Sequence, residues 1–153
     1  MITNFARRLI LLSLVIFAAS VVASAQRPFQ GEWKWAIYAK SRSELPPAYR
    51  DAKLSEVPAA SVWLKIKQRG NKLTGEYSAS RRYLAKLEEG DLDVSAKGKT
   101  AEFEIASSFG GKLTIRITVA GNRLHWKAIK EEGEHYYPLD VVLRRIKPRR
   151  SSQ

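Results

Sequence analysis

The chain has 153 residues, with 27 lysines and arginines against 15 aspartates and glutamates, a formal net charge of +12, and no cysteine. The length leaves room for one domain and not two, and the missing cysteine excludes both a disulfide scaffold and a lipid anchor on an N-terminal cysteine. A surface this basic favours anionic partners such as lipid headgroups, lipopolysaccharide or acidic polymer, unless the charge serves solubility alone.

Residues 1–25 read as a signal peptide. Arg7 and Arg8 form a positive start, Leu9 to Val22 is almost unbroken apolar sequence, and Ala23-Ser24-Ala25 supplies the small residues that signal peptidase requires. The apolar run falls short of the roughly 18 residues of a spanning helix, so cleavage and export to the periplasm or beyond are expected, with no transmembrane span in the mature form. Whether the general or the twin-arginine route is used stays open. The mature chain, 26–153, keeps a formal charge of +10. It divides into one domain, residues 26–147, and a basic tail, residues 148–153, at the end of a cluster that includes Arg144, Arg145, Lys147, Arg149 and Arg150.

The domain is a succession of alternating strands. The first, Gly31 to Ala39, sets Trp33, Trp35 and Ile37 on one face. A connection of about twenty residues follows, with a short helix expected over 48–57; loops of that length are usually functional or disordered. Gly70-Asn71 is a two-residue hairpin turn. It puts Val62, Leu64 and Ile66 inward against Ala79, Tyr77 and Gly75, and Lys65 opposite Glu76. Residues 80–90 are expected to form a second connection with a helical turn around Tyr83. Strands Asp91–Ala96 and Thr100–Ala106, joined at Lys97-Gly98-Lys99, direct Leu92, Val94, Ala101, Phe103 and Ile105 inward and set Asp93 opposite Glu104. Leu113, Ile115, Ile117 and Val119 alternate in the next strand, and Gly121-Asn122 sets Ile117 opposite Trp126. A last turn at Glu132-Gly133 sets Trp126 opposite Leu139 and Leu124 opposite Val141. Pro138 faces outward in the final strand and belongs beside an unpaired stretch, because it lacks a ladder donor. These patterns predict an all-β fold, an eight-stranded antiparallel up-and-down meander whose edges are best hidden by closure into a barrel.

Two motifs add to this reading. Gly31-Glu32-Trp33 resembles the Gly-x-Trp signature of calycins, and Leu73-Thr74-Gly75-Glu76-Tyr77 resembles a hairpin strand of avidins and exported bacterial lipocalin-like proteins. The resemblance implies a lipocalin-like barrel with Arg144 or Arg145 packed over Trp33. The long first connection would lie over its mouth as plug or lid. The lipocalin motif expected before the seventh strand is absent, and of the avidin biotin contacts only Tyr77 has a counterpart.

The inner face carries Trp35, Tyr77, Phe103, Trp126 and Tyr137, with no charged residue among the central inner positions. Eight strands enclose a space that side chains fill or that holds one small ligand. These five are the candidate ligand-binding residues, for an apolar or amphipathic guest. Arg116 opposite Lys127 is a like-charge pair that an anion would relieve. Thr118, His125 and Asp140 form an outer row resembling a hydroxyl–imidazole–carboxylate relay, but a convex face offers no cleft for an oxyanion. No catalytic set, metal site or cofactor is expected. Nucleic acid is disfavoured by the expected export. The leading expectation is a non-enzymatic exported binding protein, and the alternative is an envelope-associated protein with a filled barrel and a basic binding surface.

Overall fold

The computed structural model describes residues 27–146. The expected signal segment and basic tail lie outside the described residues. Eight antiparallel strands run in up-and-down order: β1 (Gly31–Tyr38), β2 (Pro58–Arg69), β3 (Lys72–Arg81), β4 (Lys86–Ser95), β5 (Thr100–Ala106), β6 (Lys112–Ala120), β7 (Arg123–Glu132) and β8 (Asp140–Arg145). They form one sheet in the order β4-β3-β2-β1-β8-β7-β6-β5, a nearly closed barrel. No helix among the described residues is long and apolar enough to cross a membrane.

The two Gly-Asn turns work as the alternation predicts. Ile66 pairs with Gly75, Leu64 with Tyr77 and Lys65 with Glu76 across the first hairpin. Ile117 pairs with Trp126 across the other. Inward positions of β2, β3 and β6 are buried one residue in two, so an apolar core fills the lower barrel. Each large side chain in it contributes about 1.5–3 kcal/mol.

Five local expectations are corrected. There is no helix at 48–57: the first connection holds only two 3-10 turns, Arg42–Glu44 and Pro47–Tyr49. Residues 80–90 are not a helical connection either, since β3 and β4 continue to Arg81 and from Lys86 around a tight turn. There Arg82, Tyr83 and Leu84 all have positive φ, 53°, 56° and 67°, a conformation that costs side-chain-bearing residues about 1–2 kcal/mol each. Asp93 does not face Glu104, because β4 and β5 are the two edges of the sheet and share no ladder, the turn between them holding a single bridge, Lys97–Thr100. Asp93 instead ion-pairs with Lys72 on β3, and Glu104 with Lys112 on β6. Finally, β8 slides by two residues: Trp126 pairs with Val141 and Leu124 with Leu143. A bulge takes up Ile129, and residues 133–139 form a longer loop than a two-residue turn. Pro138 is buried in that unpaired stretch and does not face outward.

One end of the barrel is sealed. Trp33 is fully buried and its indole Nε1 donates to the Phe29 carbonyl oxygen at 2.9 Å. The Arg145 guanidinium lies 4.0 Å from the centre of the Trp33 ring and donates to the carbonyl oxygens of Pro28, at 2.7 Å, and of Gln30. A Cβ on Gly31 would come within 3.0 Å of that guanidinium, so the glycine of the Gly-x-Trp motif makes room for the arginine. Gln68 closes the corner by accepting from the Phe29 amide at 3.0 Å.

At the other end lie the long first connection and the β3–β4, β5–β6 and β7–β8 loops. Leu45, Val57 and Ala39 form a second buried cluster with Tyr49, Leu54 and Tyr83, separate from the barrel core. Ile37, expected inward, is 52% exposed. Strands β1 and β8 pair only at Trp33–Arg145 and Lys34–Arg144, so the upper half of β1 has no partner on that side. A surface hollow of about 380 Å³ lies there, with Trp35 in its wall.

Candidate functional site

Four of the five expected lumen residues meet. Tyr77 lies 6.3 Å from Phe103, 6.5 Å from Trp126 and 6.2 Å from Tyr137, ring centre to ring centre. Phe103 meets Trp126 edge-on at 5.9 Å, and Trp126 stacks on Tyr137 at 6.5 Å. These are favourable ring spacings. Trp35, partly buried, packs against the same core from β1. The Trp126 indole Nε1 donates to the Pro138 carbonyl oxygen at 2.9 Å, which fixes the β7–β8 loop and with it Tyr137. Across the hairpin from Tyr77 stands Gly90. A Cβ there would overlap the Tyr77 phenol group, so the missing side chain is what lets this ring lie across β4.

The expectation of an uncharged interior is corrected at Glu88. It sits two residues before Gly90 and four before Leu92, on the inward positions of β4, and is only 5% exposed. Its carboxylate bridges the seam between the sheet edges. One oxygen accepts from the Ser107 hydroxyl; the other accepts from the Ser108 amide at 3.0 Å and the Ser108 hydroxyl at 3.2 Å. Among the described residues no cation forms an ion pair with it. Beside it lies Tyr137, 1% exposed, whose hydroxyl has Tyr77 and Glu88 as its polar neighbours but makes no hydrogen bond of regular geometry with them. Burial pushes the Tyr137 phenol well above its ordinary range, and the nearby Tyr77 hydroxyl and Glu88 charge push the same way. Burial raises Tyr77 as well. Both phenols are therefore neutral donor–acceptors at ordinary pH.

The seam is held above Glu88 by rings and cations. The Lys86 ammonium lies 4.1 Å from the centre of Phe109 and 4.8 Å from that of Tyr136, with Arg82 also over Tyr136 at 5.4 Å. Phe109 and Tyr136 meet edge-on at 4.7 Å. Outside the seam a hollow of about 420 Å³ is lined by Leu87, Glu88, Glu89, Ala106, Ser107 and Ser108. A buried carboxylate is thus reachable from the surface.

The outer-face candidates offer less. Arg116 faces Lys127 as expected, but each has a carboxylate on its other side. Glu102 accepts from Arg116 Nε at 2.8 Å, and Asp140 pairs across from Lys127. The four-residue row carries no net charge, so an anion is not needed to relieve it. Thr118 does face His125, but Val142, not Asp140, lies directly across from the histidine. Asp140 reaches it diagonally, with Nε2 to Oδ1 at 2.5 Å. His125 and Asp140 are both about half exposed on the convex face, without a cleft around them. His135 lies 3.3 Å from Glu131, near the end of β7. No group of three or more potential metal ligands occurs among the described residues.

Glu88 was missed because Leu87 beside it looks like the inward residue. Counting back by twos from Leu92 through Gly90 would have found it. No protein-family model matches the chain, and neither a curated protein nor a solved structure matches it.

Proposed function

We propose that this protein is a non-enzymatic, calycin-like binding protein, exported after cleavage of residues 1–25, that takes one small apolar or amphipathic molecule at the mouth half of its barrel. The observation that carries this reading is the buried Tyr137 hydroxyl, which makes no hydrogen bond of regular geometry, beside the buried Glu88 carboxylate, in a wall otherwise made of aromatic rings. A buried polar group left unpaired costs about 1–3 kcal/mol, and such groups in native proteins commonly mark a place where another molecule completes the bonding. The calycin kinship is supported by Arg145 stacked over the tryptophan of the Gly-x-Trp motif. Segment 39–57, which packs as a cluster of its own, suits a lid over the entrance.

A second reading keeps the barrel filled and assigns binding to the basic surface, with anionic envelope lipid or polymer as partner. The mutual packing of Tyr77, Phe103, Trp126 and Tyr137 favours it. Native mass spectrometry of protein purified from its own host separates the two. The first reading expects a retained small molecule that is displaced on denaturation. Absence of any such molecule, together with a loss of about 3–5 kcal/mol in Trp126→Ala as for a filled core, supports the second.

A further inference from the structure

We propose that the seam between β4 and β5 is a recognition site for an organic ammonium group, with Glu88 as its counter-ion. This deepens the binding reading above and rests on it. The carboxylate is 5% exposed and hydrogen-bonded by three donors, all of them neutral: the Ser107 hydroxyl, the Ser108 amide and the Ser108 hydroxyl. Neutral donors supply no opposite charge, and burial makes an uncompensated charge costly. Among the described residues no lysine, arginine or histidine is brought into an ion pair with it. Lys86, on the same strand, sends its ammonium to Phe109 and Tyr136.

What surrounds the carboxylate fits a cation with hydrogens to donate. The buried Tyr137 hydroxyl has Tyr77 and Glu88 as its polar neighbours but makes no hydrogen bond of regular geometry, and as a neutral phenol it keeps oxygen lone pairs able to accept. A primary ammonium has three N–H donors, suited to a carboxylate with a phenol oxygen beside it. Glu89, at the rim of the hollow, adds negative charge, and Leu87 and Ala106 give an apolar body something to lie on. Leu87 is 47% exposed, so that surface is available. An anionic guest is repelled by the same carboxylates. A neutral alcohol finds the hydrogen bonds but not the charge.

The test uses three probes on one skeleton, titrated calorimetrically into the purified mature chain: 2-phenylethylammonium, 2-phenylethanol and 3-phenylpropanoate. The ammonium is expected to bind about tenfold or more tightly than the alcohol, the usual advantage of a charge-assisted hydrogen bond, and the carboxylate not measurably. Glu88→Gln keeps the size and most of the clasp, and should bring the ammonium down to the affinity of the alcohol. Tyr137→Phe should weaken the ammonium severalfold with the fold intact, a check that stands if Glu88→Gln fails to fold. If the alcohol binds as well as the ammonium, or Glu88→Gln retains the preference, the ammonium assignment is overturned while the binding reading stands. If none of the three binds, the assignment is overturned too, and retention of a host molecule in native mass spectrometry separately decides the broader reading.

Discussion

At the sealed end of the barrel, the polar atoms drawn inside are matched by fixed partners; at the seam end they are not. Trp33 donates to Phe29, Arg145 caps the ring and donates to Pro28 and Gln30, and Gln68 accepts from Phe29. Near the seam, Tyr137 and His135 each bury a polar atom without a hydrogen bond of regular geometry, and three consecutive residues of the β3–β4 turn hold positive φ. The same small fold thus contains one region organised for stability and one that leaves bonding capacity and strain in place. Such a division is expected where binding is carried by loops on a rigid frame.

The largest effect that would test this contrast is at the sealed end. Trp33→Ala removes a fully buried indole and leaves Arg145 without its ring, so a loss of about 3–5 kcal/mol is expected in denaturant unfolding. A loss under about 1 kcal/mol would mean that the end is not the anchor described here.

Next comes the clasp. Glu88→Ala strands Ser107 and the Ser108 amide at the seam and should cost about 1–3 kcal/mol, whereas Glu88→Gln should cost clearly less. Equal losses would point to the negative charge rather than the hydrogen bonds as the glue.

A smaller effect is expected with pH. In the unfolded chain a tyrosine loses its proton near pH 10; in the folded barrel Tyr77 and Tyr137 hold theirs to higher pH. The unfolded state therefore binds fewer protons above pH 10, and stability that is complete below that pH falls as pH rises further, by at most about 1.4 kcal/mol per pH unit for each group. Tyr137→Phe should flatten this alkaline decline in thermal melts, and leave stability at neutral pH unchanged or slightly raised by removing a hydroxyl without a regular hydrogen bond.

The contrast also separates what could be read from the chain. Hairpins with Gly-Asn turns and strict alternation, at Ile66–Gly75 and Ile117–Trp126, were legible because a slip of one residue would turn every apolar side chain to water. So was the inward direction of Tyr77, Phe103, Trp126 and Tyr137, while the arginine over Trp33 came from a resemblance that left Arg144 and Arg145 open. The seam was not. Leu87 faces out and Glu88 faces in, which inverts the alternation that marks a strand, and Arg82 to Leu84 adopt a turn that sequence normally signals with glycine. The two-residue slide of β8 was hidden by a bulge at Ile129 and by the length of the 133–139 loop. Local patterning reports the regular parts of a sheet and falls silent where edges, bulges and buried charge take over.

Hydrogen exchange followed residue by residue on the mature protein tests the central contrast most directly. Amides of β1 and β2 around Trp33 are expected to exchange only through global unfolding, while those of the 82–85 turn and the facing edges of β4 and β5 exchange through local opening at a much lower free energy. Uniform protection across both regions would contradict the account.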